Sequence, residues 1–182
     1  HLFTTDMNKA TTESTYTPQV TATPTCTPTP AYDFFEGMHS NKAILIDAEN
    51  GDVIQSLEAD VQAYPASVTK MMTTIVALEN IENYSGQYVM PQSIYDYLFT
   101  TDLSTAGFER NETVTYEDLL YGTMLRSGAE CCLGLAYSVG GSEEGFVQMM
   151  NDKAVELGMV NTHFVNCTGE HNPDHYSSVH DM

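Results

Sequence analysis

A run of apolar residues with helical spacing follows Ser67. It constrains the fold of this chain more than any other feature of the sequence. Its apolar positions extend around much of a helix and are Val68, Met71, Met72, Ile75, Val76, Leu78 and Ile81. A helix that is apolar over most of its circumference is stable only where other elements cover it. We therefore predict a buried central helix, with the rest of the domain packed around it.

The start of this helix carries a serine and a lysine three residues apart. Ser67 and Lys70 are separated by nearly one helical turn, so their side chains share a face. A hydroxyl beside an amine is a nucleophile beside a candidate base. Pro65 suits a helix start, where the free N–H groups of the first turn can face an oxyanion. A serine cap followed by an unrelated lysine has the same spacing, so the pair alone does not identify chemistry.

The length and charge of the chain exclude some classes of partner. Its 182 residues give room for one domain and a tail, and a hydrophobic fraction of 42% supports a core. With 6 basic and 25 acidic residues the net charge is −19. Nucleic acids and anionic membrane surfaces attract basic patches, so neither is expected as a partner.

The sequence shows neither a span of the bilayer nor a signal peptide. The chain begins with His1 rather than Met. We therefore treat its N-terminus as incomplete or processed, which leaves room for a membrane anchor outside this chain.

Residues 1–35 have the composition of a disordered segment. From Thr11 to Pro30, nine of twenty residues are Thr and four are Pro. Such a segment buries too little apolar surface to offset its ordering entropy. It is typical of an extended extracellular stalk or of a plain linker, and both place the folded part in residues 36–182.

The folded part is predicted to begin with a β-hairpin and to continue with helices. A short apolar strand at residues 43–47 and a second strand at residues 53–57 flank an Asn50-Gly51 turn, the strongest short hairpin signal. Residues 84–112 are expected to form short helices and loops. Thr115 and Asp118 have capping-box spacing before a helix, which Ser127 to Glu130 interrupts. Further helices are expected at residues 131–139 and 143–157, followed by a polar loop to Met182.

The cysteine and histidine spacings predict neither a metal nor a cofactor. Cys26, Cys131, Cys132 and Cys167 form no Cys-x-x-Cys pair, so we expect buried or idle thiols rather than a disulfide framework. The last segment is rich in histidine. Its one helically spaced pair, His171 and His175, has Pro173 between its members, which argues against a metal-binding helix.

Taken in order, these stretches resemble the serine D-alanyl-D-alanine carboxypeptidases, the low-molecular-mass penicillin-binding proteins. The similarity runs from about Lys42 to Met182. Residues 43–57 look like the opening hairpin of that family, and residues 64–73 look like its nucleophile motif with the usual flanks. The other similar positions are residues 113–122, 141–142, 146, 150–151, 157–159, 161–164 and 175–177.

The resemblance implies an α/β fold of the β-lactamase/DD-peptidase type, with an antiparallel sheet beside a helical subdomain. It implies that Ser67 is the nucleophile, that Lys70 is the base that takes its proton, and that Ser127 passes a proton toward the departing D-Ala. The implied substrates are peptidoglycan stem peptides ending in D-Ala-D-Ala, and β-lactams are the implied covalent inhibitors. The implied location is the bacterial cell surface, at the outer face of the cytoplasmic membrane.

Two departures from the family pattern qualify this expectation. The second motif of the family is Ser-x-Asn, whereas this chain has Ser127-Gly128-Ala129, with Glu130 as a candidate substitute for the amide. The third motif, Lys-Thr-Gly on a later strand, has no counterpart, because no Lys follows Lys153. We therefore expect residues 36–182 to be part of a catalytic domain that lacks its C-terminal strands and is inactive alone. The alternatives are a serine β-lactamase of similar fold and a degenerate binding protein of the cell surface.

Overall fold

A computed structural model describes residues 32–182 of the chain. Most of the predicted Thr/Pro-rich tail, together with Cys26, lies outside the described residues, so the tail stays a prediction. The elements in chain order are β1 (Ala43–Ile46), β2 (Val53–Leu57), a short 3₁₀ helix (Ala66–Val68), α1 (Thr69–Asn80), β3 (Gln87–Val89), α2 (Gln92–Leu98), β4 (Thr113–Thr115), α3 (Tyr116–Arg126), α4 (Ala129–Gly140) and α5 (Glu143–Glu156).

Strands β1 and β2 form the predicted antiparallel hairpin, with Ala43 opposite Leu57. Two hydrogen bonds of 2.8 Å close its turn, from Gly51 N–H to the Asp47 carbonyl and from Asp47 N–H to the Asp52 carbonyl. Gly51 has a φ of 78°, a conformation that favours glycine. In the described part of the chain, β1 and β2 form a sheet of two strands only.

Helix α1 is the predicted central helix and packs against α3, α4 and α5. Its buried face differs from the predicted one, because Val68, Met71 and Leu78 are 46%, 44% and 44% exposed. The buried residues of the helix include polar ones and are Thr69, Lys70, Met72, Thr73, Val76 and Ala77. The buried polar side chains form hydrogen bonds with the C-terminal segment. Hydrophobic periodicity alone cannot predict these bonds.

Helix α4 is the most deeply buried element of the described chain. Its residues 129–136 are all buried, and it packs against α1, α2, α3 and α5. It begins at Ala129, two residues before the predicted start, so the interruption after α3 is shorter than expected. None of the helices in residues 32–182 combines the length and apolar character needed to cross a membrane.

A second strand pair, which the sequence reading missed, leads into α3. Strands β3 and β4 are antiparallel and place Gln87 opposite Thr115. Thr115 then begins α3 with the predicted capping box, because its hydroxyl accepts from Asp118 N–H at 3.1 Å and its own N–H donates to the Asp118 carboxylate at 2.9 Å. Strands of three residues are too short for alternation to reveal them.

The C-terminal segment, residues 157–182, is an ordered loop packed beside the start of α1. It pairs with the chain before Ser67 through reciprocal hydrogen bonds of Ala63 and Ser177, at 2.7 and 2.9 Å. A second isolated bridge joins His163 to Tyr176 within the segment. The loop prediction is therefore confirmed, and the loop lies against the helix that carries the candidate nucleophile.

Candidate active site

Ser67 lies at the open end of the buried helix. It belongs to the 3₁₀ helix that leads into α1, with Pro65 at the N-cap as predicted. The turn is closed by Val68 N–H donating to the Pro65 carbonyl at 3.1 Å. Ala66 takes a φ of 47°, which is uncommon for a residue with a side chain. Ser67 itself is exposed, so its hydroxyl is open to a ligand while the next turn is buried.

Lys70 lies one turn further along α1 and is only 4% exposed. Its Nζ donates to the Ser67 hydroxyl at 3.2 Å and to the backbone carbonyl of Thr168 at 2.5 Å. Both partners are neutral oxygen atoms. The predicted proximity of Ser67 and Lys70 is thus present, and the lysine is held from a second side by the C-terminal segment.

Ser127 comes to the same point from the other side, at the break between α3 and α4. It is the C-cap of α3 and adopts the left-handed conformation, with φ 56° and ψ 34°. Its hydroxyl donates to the Ser67 hydroxyl at 3.1 Å. The side chains of Lys70 and Ser127 therefore both donate to the hydroxyl oxygen of Ser67, although 60 residues separate Ser67 from Ser127.

The position of the missing asparagine is occupied by a buried methyl group. Ala129 is fully buried at the first turn of α4, and its N–H donates to the Ser104 carbonyl at 2.8 Å. Its side chain offers no hydrogen bond to Lys70 or to a substrate. Besides the Ser67 hydroxyl, the Lys70 amine therefore has the carbonyl of Thr168 as its hydrogen-bond acceptor.

Glu130 does not take over the role of the missing amide. Its side chain is fully buried, and its Oε1 accepts from the N–H groups of Ala106 and Gly107 at 2.6 and 2.9 Å. Its Oε2 has no hydrogen-bond partner among the described residues. These contacts fix the loop before β4, so the geometry does not support the hypothesis that Glu130 substitutes for the amide.

The C-terminal segment supplies contacts to α1 that sequence reasoning missed. Besides the carbonyl of Thr168, the carbonyl of Cys167 accepts a hydrogen bond of 2.7 Å from the Thr73 hydroxyl. Backbone carbonyls leave no signature in residue spacing, because every residue carries one. The Asn166-x-x-Gly169 pattern is the signal that could have indicated an ordered turn here.

Both ring nitrogens of His175 are engaged in hydrogen bonds within the protein, so the side chain has a structural role. It is buried and its Nε2 lies 2.7 Å from the Thr69 hydroxyl, while its Nδ1 accepts from Val165 N–H at 3.1 Å. Because Nδ1 accepts, Nε2 carries the proton and donates to Thr69. Burial first, and the nearby His163 second, lower the pKa of His175 to about 4. The neutral ring ties the C-terminal segment to the first turn of α1.

The cysteines of the described chain are buried free thiols, as expected. Cys131, Cys132 and Cys167 form no disulfide with one another. Burial raises the pKa of Cys132 to about 12 and raises the pKa of Cys167 well above its ordinary value. Within residues 32–182 no group of three or more His, Cys, Asp or Glu side chains is placed to hold a metal ion.

Comparisons with known proteins find a family model and related sequences that match this chain. Residues 27–182 match the D-alanyl-D-alanine carboxypeptidase family. The chain is 34% identical over 145 residues to the D-alanyl-D-alanine carboxypeptidase DacF of Bacillus subtilis, covering 79% of this chain and 37% of that protein. It is also 34% identical over 158 residues to DacA of Escherichia coli K12, covering 76% of this chain and 36% of the relative.

Solved structures show the same likeness. Penicillin-binding protein 5 from Haemophilus influenzae superposes with a TM-score of 0.72 at 30% identity, over 78% of this chain and 42% of the other. A DD-transpeptidase from Streptomyces superposes with a TM-score of 0.70 at 31% identity, over 73% and 53%. By length, this chain covers 37% of DacF and 36% of DacA, so it corresponds to only part of each relative.

Proposed function

We propose, since this chain belongs to the D-alanyl-D-alanine carboxypeptidase family, that it forms the nucleophile-bearing part of a serine-type D-Ala-D-Ala carboxypeptidase. The substrates are peptidoglycan stem peptides ending in D-Ala-D-Ala, and the enzyme acts in the bacterial cell envelope outside the cytoplasmic membrane. One observation carries the proposal. The Ser67 oxygen lies 3.2 Å from the Lys70 amine and 3.1 Å from the Ser127 hydroxyl.

Acylation begins at Ser67. In its neutral form the Lys70 amine accepts the hydroxyl proton of Ser67, and the serine oxygen bonds to the carbonyl carbon of the penultimate D-Ala. The carbonyl of Thr168 holds one N–H of the lysine, which turns the rest of the amine toward Ser67. A hydrogen bond of 3.2 Å is within the reach that proton transfer requires.

Ser127 completes the first half of the reaction. The proton on Lys70 passes through the Ser127 hydroxyl to the nitrogen of the terminal D-Ala, the C–N bond breaks and free D-Ala leaves. An ester on Ser67 remains. Water then adds to this ester while the lysine accepts its proton, the C–O bond to Ser67 breaks, the lysine returns the proton to the serine oxygen, and the shortened peptide is released. A β-lactam acylates Ser67 by the same attack, with opening of its ring amide.

The described residues form only part of the proposed catalytic domain. The chain spans 37% of the length of DacF, and within residues 32–182 the hairpin has no third strand. We propose that turnover requires additional strands, with a lysine that binds the substrate carboxylate.

The experiment measures release of D-alanine from an N-acylated peptide ending in D-Ala-D-Ala. It uses this chain extended by any residues that its gene encodes after Met182. Ser67→Ala is expected to abolish release, and Ser127→Ala to slow it by about 100-fold or more, the usual size of a lost proton-transfer group. Ser93→Ala, at an exposed serine of α2, is the matched control and retains full activity. Equal release by wild type and Ser67→Ala would contradict the proposal.

A second candidate is favoured by Ala129 alone. Because a methyl group replaces the amide of the second motif, the protein would be a non-catalytic binder of peptidoglycan peptides. This candidate predicts that the extended protein binds a D-Ala-D-Ala peptide but neither releases D-alanine nor forms a covalent adduct with a penicillin.

A further inference from the structure

We propose that Asn166 is a positioning residue for Lys70 and acts through the backbone carbonyl of Thr168. The inference rests on the proposed function, because it extends the proposed role of Lys70 to a residue outside the converging side chains of Ser67, Lys70 and Ser127.

The Asn166 side chain organises residues 166–170, which we call the Asn166 turn. Its Oδ1 accepts from the N–H of Gly169 at 2.8 Å, from the N–H of Thr168 at 3.2 Å and from the Thr168 hydroxyl at 3.3 Å. Its Nδ2 donates to the Glu170 carbonyl at 2.9 Å. One amide side chain therefore fixes both ends of the turn, and with them the direction of the carbonyls between.

Those carbonyls are the ones that reach α1. The carbonyl of Cys167 accepts from Thr73, and the carbonyl of Thr168 accepts from Lys70. Lys70 and Thr73 lie three residues apart, on one face of the helix. The Asn166 turn thus holds two points on that face, and the point nearer to Ser67 is the lysine amine.

The turn also contacts the backbone directly before Ser67. Gly169 adopts a φ of 84°, and a Cβ at this position would lie 1.9 Å from the carbonyl oxygen of Ala66. Only glycine permits so close an approach in this conformation. The Asn166 turn is therefore packed against the chain on both sides of the nucleophile, at Ala66 and at Lys70.

This arrangement has a consequence for proton transfer. The lysine stem has several rotatable bonds, and its amine is held by two oxygens, of which Ser67 is itself the reacting group. Without Asn166 the three donors of the turn lose their acceptor, and the carbonyl of Thr168 is no longer fixed. A displacement of about 1 Å in a catalytic group can slow a reaction by about 100-fold.

The first arm of the test measures acylation by a fluorescent penicillin, with the extended protein used above. Asn166→Ala is expected to lower the limiting acylation rate by about 10- to 100-fold while the dissociation constant of the non-covalent complex changes by less than about twofold. Asn166→Asp keeps the acceptor for Thr168 and Gly169 but loses the donor to the Glu170 carbonyl, so it is expected to recover only part of the rate.

Two controls separate positioning from general loosening of the loop. Asn172→Ala removes a similar side-chain acceptor, for Asp174 N–H, elsewhere in the segment. Asn151→Ala removes two hydrogen bonds to the backbone of Phe164, two residues before Asn166 and outside the Asn166 turn. Neither is expected to slow acylation more than about threefold at a temperature where the protein is folded. A loss in Asn151→Ala equal to that in Asn166→Ala would overturn the proposal.

The second arm does not depend on activity. Lysines of the same proteins are acetylated with trace acetic anhydride, and each lysine is quantified by peptide mass spectrometry. Labelling of Lys70 relative to the half-buried Lys42 is expected to rise about fivefold or more in Asn166→Ala and to stay unchanged in Asn172→Ala, because a released amine becomes accessible. Unchanged labelling of Lys70 in Asn166→Ala would overturn the positioning role.

The two arms distinguish this inference from the proposed function. If wild type forms no adduct while Lys70 labelling rises in Asn166→Ala, the proposed function fails and the positioning role stands. If wild type is acylated and Asn166→Ala matches it in both rate and labelling, the positioning role fails and the proposed function stands.

Discussion

The hairpin and the helical region of this chain are stabilised in different ways. Strands β1 and β2 pair with each other, yet Val53, Ile54 and Leu57 on the second strand remain exposed. Helix α4, in contrast, buries eight consecutive residues among four other helices. An isolated hairpin is marginal in water, whereas a helix covered on all sides is fixed by its packing.

The candidate site lies in the helical region and not in the hairpin. The hydrogen bonds of the Ser67, Lys70 and Ser127 cluster join the 3₁₀ helix, α1, the α3–α4 break and the Asn166 turn. None of these hydrogen bonds involves β1 or β2. The geometry of the candidate site is therefore set by the helices and the C-terminal segment and does not depend on contacts with the hairpin.

The largest expected effect comes from the helical core. Phe146 of α5 is fully buried, so Phe146→Ala removes a ring and leaves a cavity. We expect a loss of about 3 to 5 kcal/mol in the free energy of unfolding. Urea unfolding of the 182-residue chain, followed by circular dichroism, measures it. A loss below about 1 kcal/mol would show that the helical region is not tightly packed.

The next largest effect on stability is expected at His175, which hydrogen-bonds the C-terminal segment to α1. The pKa of His175 is about 4 when folded and 6.5 in its ordinary state, because burial disfavours the charged ring. The unfolded chain therefore binds the proton first as the pH falls. Stability should decline by about 3 kcal/mol between about pH 6.5 and pH 4 and show no further loss from this group below that range.

The measurement is urea unfolding as a function of pH for wild type and for His175→Gln, which keeps a donor for Thr69 but does not titrate in this range. The wild type should lose more stability than the variant over the window from pH 6.5 to 4. Parallel curves for the two proteins would contradict a buried neutral His175.

A smaller effect is expected at Thr73, which joins α1 to the Asn166 turn. Thr73→Val keeps the shape of the side chain but leaves the buried carbonyl of Cys167 without its donor. We expect a loss of about 1 to 3 kcal/mol. Thr74→Val is the matched control, because Thr74 bonds only within its own helix, to the Lys70 carbonyl. Equal losses in the two variants would mean that the turn adds nothing to stability.

The smallest effect is expected in the hairpin. Ile54 is 38% exposed on β2, so Ile54→Thr keeps a β-branched side chain and removes little buried surface. We expect a change within about 0.5 kcal/mol in the 182-residue chain. Urea unfolding beside Phe146→Ala gives the contrast directly. A loss above about 2 kcal/mol would show that the hairpin is packed as tightly as the helices.

Sequence reasoning located the elements whose signals are local. The Asn50-Gly51 turn and the Thr115 capping box each depend on neighbouring residues, and both were predicted correctly. Ser67, Lys70 and Ser127 were found through their motifs and through the resemblance. The structure then brings together the two serines that lie 60 residues apart.

The contacts that sequence reasoning missed are long-range and depend on backbone atoms. The polar face of α1 is buried because carbonyls of residues 167 and 168 and the ring of His175 cover it. No periodicity in α1 predicts this, since the partners lie about 100 residues away. The strand pair β3–β4 was missed for a different reason, because three residues are too few to show alternation.

The most direct test of the account is to map the site of a covalent adduct. The extended protein, and its Ser67→Ala variant, are incubated with a penicillin and digested, and the modified peptide is identified by mass spectrometry. The account predicts a single adduct on Ser67, which is absent in the variant. An adduct on another residue, or an equal adduct in Ser67→Ala, would contradict the claim that Ser67, Lys70 and Ser127 form the acylation centre.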